Sequence, residues 1–113
     1  MSVAMTIITS VQVIAETPKP PYYAVIFASE LSDNIQDYAE ATKQMTELVK
    51  SQPGYLGEDS ARSEIGITVS YWQDLESIDG WRKNMDHLAV KEKGKSQWYK
   101  NYTLRIAKVE RQY

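Results

Sequence analysis

Cysteine is absent from the 113-residue chain, which removes disulfides, thiolate metal sites, iron–sulfur clusters and cysteine nucleophiles from the possible chemistry. Histidine occurs once, as His87, and no multi-ligand metal spacing is present, so no metal site is expected. Gly-rich phosphate loops and dinucleotide fingerprints are missing too, and no bound flavin, nicotinamide or other cofactor is expected. No apolar run approaches the roughly 20 residues that span a bilayer. The first segment lacks the basic stretch that opens a secretory signal, so a cytoplasmic protein with no membrane partner is the expectation. A formal net charge of −2 gives no general attraction for phosphate polymers, and nucleic acid is not an expected partner. Basic residues do crowd the last quarter, from Lys91 to Arg111. A solvated helix end and strand face account for them, with anion binding as the lesser reading.

What is present is an ordinary globular composition, 42% hydrophobic and 25% charged, with 11% aromatic residues. That composition argues against disorder, and the length fits one domain. Residues 1–21 read as an N-terminal extension, with an alternating apolar stretch from Thr6 to Ile14 followed by Pro18-Lys19-Pro20-Pro21; the prolines favour extended geometry. Residues 22–113 read as the domain. Tyr22 to Leu31 is rich in strand formers, and Asp33 with Gln36 offers a cap for a helix whose apolar positions run from Ile35 to Val49. Pro53-Gly54 stops it. Tyr55 to Arg62 and Ile65 to Trp72 form a hairpin, Asp74 caps a second helix that Gly94 ends, and a last strand runs from about Trp98 to Val109.

This order, strand-helix-strand-strand-helix-strand, predicts an α+β fold of ferredoxin-like βαββαβ type with a four-stranded antiparallel sheet. Two helices cover one face of such a sheet. The first strand, however, carries Tyr22, Ala24, Ile26 and Ala28 on one side and Tyr23, Val25, Phe27 and Ser29 on the other. The third strand is bulky on both sides as well. An identical chain packed against the second face satisfies this, so a homodimer is expected. The aromatic cluster of Trp98, Tyr99, Tyr102 and Tyr113 is expected at that contact.

The stretches Pro53-Gly54-Tyr55-Leu56-Gly57-Glu58 and Gly66-Ile67-Thr68-Val69-Ser70-Tyr71-Trp72 resemble the antibiotic biosynthesis monooxygenase family. Leu75-Glu76-Ser77-Ile78, Trp81, His87, Gly94, Trp98-Tyr99, Tyr102 and Arg105 continue the pattern, which extends from about Tyr22 to Tyr113. The resemblance implies a dimeric α/β barrel with a pocket between sheet and helices in each subunit. It also implies a cofactor-independent monooxygenase acting on an aromatic small molecule of phenolic or hydroquinone-like type. Two alternatives stand beside it, a haem-binding or haem-degrading monooxygenase and a non-catalytic small-ligand-binding dimeric module.

Proton abstraction from a phenol suits His87, the one side chain here whose ordinary pKa lies near neutrality. On a helix it lies about 240° round from Trp81, which favours a surface role as the alternative. Trp81, Trp72 and Phe27 are the flat groups expected to bind a substrate, although core packing alone also explains large aromatics. The resemblance places Trp81 where haem-degrading relatives carry a pocket-lining tryptophan. Their haem-binding histidine would fall at Lys91, and their first-strand asparagine has no counterpart between Tyr22 and Leu31; both departures weigh against haem. Glu58 and Asp59 are strand neighbours pointing to opposite faces, so they cannot share acid and base work. They are expected to be solvated or paired with Arg62.

Overall fold

The computed structural model describes residues 13–87 and 97–113. Most of the Thr6–Ile14 stretch, Lys91, the Gly94 helix end and the side chain of His87 lie outside the described residues. Six elements follow in the order β1 (Tyr22–Leu31), α1 (Tyr38–Val49), β2 (Tyr55–Arg62), β3 (Gly66–Trp72), α2 (Leu75–His87) and β4 (Tyr99–Val109). The strands form one antiparallel sheet in the order β2-β3-β1-β4, the ferredoxin-like α+β topology that the alternation of elements predicts. No helix among the described residues is long and apolar enough to cross a membrane.

In β1, Val25 lies between Ser70 of β3 and Ile106 of β4. This register puts Tyr23, Val25, Phe27 and Ser29 on the same face as Trp72, Ser70, Thr68 and Gly66. The two helices cover that face. Val49 of α1, Trp72 of β3 and Ile78 of α2 form the buried cluster between the layers, with Tyr23, Val25, Tyr55 and Trp81 packed around it. The hydrophobic effect thus holds both helices at one end of the sheet.

α2 begins as its sequence predicts. The backbone N–H and the hydroxyl of Ser77 both donate to Asp74 Oδ1, at 2.8 and 2.7 Å, which satisfies orphan donors of the first turn. These bonds favour the carboxylate and hold the Asp74 pKa below its ordinary value. α1 departs from expectation, for it starts at Tyr38 and Asp33 does not cap it. The reason is a tether to the start of β4. Ser32 N–H donates to the Trp98 carbonyl and Trp98 Nε1–H donates to the Gln36 carbonyl, each at 2.7 Å. Those bonds hold residues 32–36 out of the helical path, and Asp37 turns into the helix with a φ of 66°.

The register of β2 slips between Tyr55 and Gly57. Tyr55 opposes Trp72 and Gly57 opposes Tyr71, leaving Leu56 as the extra residue of a β-bulge. Gly57 has a φ of 143°, a conformation that residues with a Cβ rarely adopt. The bulge reverses the facing of everything after it. Glu58 comes to oppose Ser70 on the helix side and Asp59 to oppose Val69 on the far side.

The far face is partly covered by the chain itself. Ala15 N–H donates to Asp59 Oδ1 at 2.7 Å, and the Tyr71 hydroxyl donates to Asp59 Oδ2 at 2.7 Å. The Thr17 hydroxyl lies 3.0 Å from the Tyr22 hydroxyl and donates to Gln112 Oε1 at 2.7 Å. Beneath this segment Tyr22 and Ala24 are buried. Towards the other end of the same face Ile67 remains 46% exposed.

Candidate functional site

Between the sheet and the helices lies a cleft, part of a larger open space that also runs past Val13, Ile14, Asp59 and Ile67 at the sheet edge. Phe27, Thr68 and Ser70 contribute to its floor, while Tyr38 and Met45 of α1 and Trp81 and Met85 of α2 form its roof. Helical spacing brings Tyr38, Thr42, Met45 and Val49 onto one side of α1, and Ile78, Trp81 and Met85 onto one side of α2.

Of the aromatic residues singled out in the sequence, Trp81 and Phe27 line this cleft. Trp72 does not, because it is fully buried. It stacks behind Trp81 with ring centroids 6.4 Å apart and planes 27° from parallel. Its indole N–H donates to Ser70 Oγ at 2.9 Å, and Tyr55 meets it edge-on at 5.4 Å. Trp72 therefore braces the tryptophan that faces the open space. His87 belongs to α2, and its side chain lies outside the described residues.

The tyrosines of β4 stand elsewhere than expected. Register pairs Tyr99 with Leu31 and Tyr102 with Ser29, which places both on the face of Phe27, beneath the helices. Phe27 contacts Tyr99 and Tyr102 with centroids 5.2 and 5.8 Å away, and Tyr38 packs edge-on against Tyr99 and Trp98. Trp98, Tyr99 and Tyr102 thus build one end of the cleft rather than a contact across the second face, and Tyr113 is an exposed terminus. Burial first, and then interaction with Tyr38, push the Tyr99 pKa well up, so the Tyr99 phenol is a neutral donor at physiological pH.

Charged side chains that the sequence did not assign to the site also border it, among them Glu58 and Arg62 of β2 and Arg82 of α2. Glu58 reaches the cleft through the bulge. Burial raises its pKa, opposed by hydrogen bonding with Tyr55 and by the charge of Lys50; the Tyr55 hydroxyl is itself pushed up to about 12, chiefly by burial. Arg62, four residues along β2, pairs with neither Glu58 nor Asp59. It donates instead to the carbonyl and the hydroxyl of Ser29 in β1. The available signal for Glu58 was Gly57, since glycine inside a strand often marks a bulge. For Arg62 it was Gly66, which leaves room for the guanidinium. A Cβ there would fall 2.1 Å from Arg62 Cζ. Among the described residues no group of three or more His, Cys, Asp or Glu side chains is placed to hold a metal ion.

Residues 21–93 match the model of the family described as "Antibiotic biosynthesis monooxygenase". The chain is 50% identical over 101 residues to the uncharacterized protein YqjZ of Bacillus subtilis, a match covering 88% of this chain and 89% of that one. Among solved structures, a conserved protein of Methanosarcina mazei superposes with a TM-score of 0.67 at 13% identity, covering 81% of this chain and 94% of the other. The haem degrader of Mycobacterium tuberculosis, solved with two haems bound in its active site, superposes with a TM-score of 0.55 at 19% identity, covering 77% and 94%. Both likenesses concern the fold.

Proposed function

Because the chain belongs to the antibiotic biosynthesis monooxygenase family, we propose that it is a cofactor-independent monooxygenase that oxidises a flat phenolic or hydroquinone-like small molecule in the cleft between sheet and helices. The observation that carries this reading is the cleft itself, a largely apolar space in which Trp81, braced by Trp72, and Phe27 offer flat walls. Aromatic side chains of this kind hold a planar ring by stacking and edge contacts.

In the proposed reaction a base removes the phenolic proton, and the electron-rich anion reduces oxygen. Where a ring CH2 becomes a carbonyl, one oxygen atom bonds to carbon and the other leaves as water with the two displaced hydrogens, so no external reductant is required. His87 is the proposed base. Glu58 is the second candidate, since its carboxyl borders the cleft and burial makes it more basic than an ordinary glutamate. The protein works as a homodimer in this reading, with the uncovered part of the second face around Ile67 as the contact.

An oxygen electrode tests the function. Purified protein in chelator-containing buffer, given a panel of bicyclic and tricyclic phenols, is expected to consume oxygen with at least one of them, and Trp81→Ala to abolish the uptake. Uptake that appears only after haem is added would replace this reading with the haem-dependent one.

A further inference from the structure

We propose that the end of the cleft at Arg62 is a subsite for an acidic group of the ligand, so that the molecule the cleft takes is a flat aromatic carrying a carboxylate. The proposal rests on the reading of the cleft as a substrate site. It begins from how Arg62 is held. Its side chain crosses β3 at Gly66, the one position of that strand without a side chain to block it, and reaches Ser29 in β1. There it donates to the Ser29 carbonyl at 3.3 Å and to the buried Ser29 hydroxyl.

Two bonds fix the guanidinium and leave other N–H groups of its five unused. Among the described residues no carboxylate forms an ion pair with it; the ion pair found there joins Lys50 to Glu47. Arg62 is itself an exposed residue; register sets Tyr102 opposite Ser29, its anchor, and Phe27, in contact with the Tyr99 and Tyr102 rings, lines the same cleft. An oriented planar cation at the aromatic end of the cleft is suited to a carboxylate, which accepts two parallel N–H bonds from the fork. Of the carboxylates in the lining, Asp59 points to the far side of the sheet, and Glu58 lies four positions back from Arg62 on the same strand face, roughly 13 Å away at strand spacing. It is therefore too distant to neutralise Arg62 and stands towards the other end of a bound molecule.

Calorimetric titration of the full chain with 2-naphthoate and with 2-naphthamide, its uncharged counterpart of the same shape, tests the subsite. Wild-type protein is expected to bind naphthoate about tenfold to a hundredfold more tightly, the range of a charge-assisted hydrogen-bond pair. Arg62→Met should bring naphthoate down to the level of naphthamide, while Arg62→Lys, which keeps the charge and loses the fork, should retain part of the preference. Equal binding of the two probes by wild-type protein overturns the subsite and leaves the aromatic cleft standing. A preference that survives in Arg62→Met overturns the assignment to Arg62. Binding of neither probe overturns both the subsite and the cleft reading. The wild-type comparison needs no variant, so a folding defect in Arg62→Met does not protect the proposal.

Discussion

Trp72 and Trp81 touch each other yet do different work, and replacing each by alanine separates the two roles. Trp72 is fully buried, and an indole of its size takes about 150–250 Å² out of water. At about 25 cal/mol per Å² this corresponds to about 4–6 kcal/mol as an upper bound, and measured tryptophan-to-alanine losses in cores run about 3–5 kcal/mol. Trp72→Ala also removes the N–H bond to Ser70 and the contacts to Tyr55 and Trp81. A destabilisation of about 3–5 kcal/mol is therefore expected, a large share of the about 5–15 kcal/mol typical of a domain. Trp81 is only partly buried and one side of its ring borders the cleft, so Trp81→Ala should cost less, about 1–3 kcal/mol. The order reverses for ligand binding, where Trp81→Ala should abolish the binding of a flat aromatic and Trp72→Phe should weaken it only modestly. Urea unfolding followed by far-ultraviolet circular dichroism gives the stabilities, and titration with 2-naphthamide gives the binding. If Trp72→Ala proved no more costly to stability than Trp81→Ala, the assignment of Trp72 as the brace would be wrong.

Glu58→Gln should change the pH dependence of stability. Burial raises the folded-state pKa of Glu58 above its ordinary 4.5, so its contribution is fully present below that value and is lost as pH rises through the folded pKa. Glutamine cannot ionise, and the variant should therefore gain on wild type across that window; a relative stability that falls with rising pH would contradict the assignment. Asp59→Ala removes the acceptor shared by Ala15 N–H and the Tyr71 hydroxyl, at a cost of about 1–3 kcal/mol. It should let thermolysin cut ahead of Tyr22 faster, and it should lower the Tyr71 pKa from about 12, as read by ultraviolet titration; unchanged values in both would dismiss the contact. Light scattering should return twice the chain mass of 12.9 kDa, with Ile67→Asp shifting the mass towards the single chain, and a 12.9 kDa particle in wild type would refute the dimer.

The element order could be read from the sequence because each segment has one dominant period. The strand-forming run Tyr22–Leu31 and the Asp74 cap are local signals, and they survive folding intact. The features that escaped the sequence depend on contacts distant along the chain. α1 starts late because Trp98 claims the backbone at Ser32 and Gln36. Tyr99 and Tyr102 face the cleft because of the β1–β4 register, which no local pattern reveals. Alternation correctly put Glu58 and Asp59 on opposite faces. Which of them faces the helices is decided by one extra residue at Leu56, since a one-residue slip exchanges the two sides of a strand. The segment Ala15–Thr17 covers part of the face away from the helices, through Asp59 and Gln112, which no local pattern reveals. Trp81 and Phe27, singled out in the sequence, line the cleft, while its charges, Glu58, Arg62 and Arg82 among them, were not singled out.

The most direct test of the proposed chemistry is turnover under 18O2 with a phenol that supports oxygen uptake, in protein free of added haem, flavin or metal. The account predicts that one labelled atom enters the organic product and the other enters water, and that Trp81→Ala gives neither. Product whose new oxygen derives from the solvent, or label that is incorporated only after haem is supplied, would contradict it.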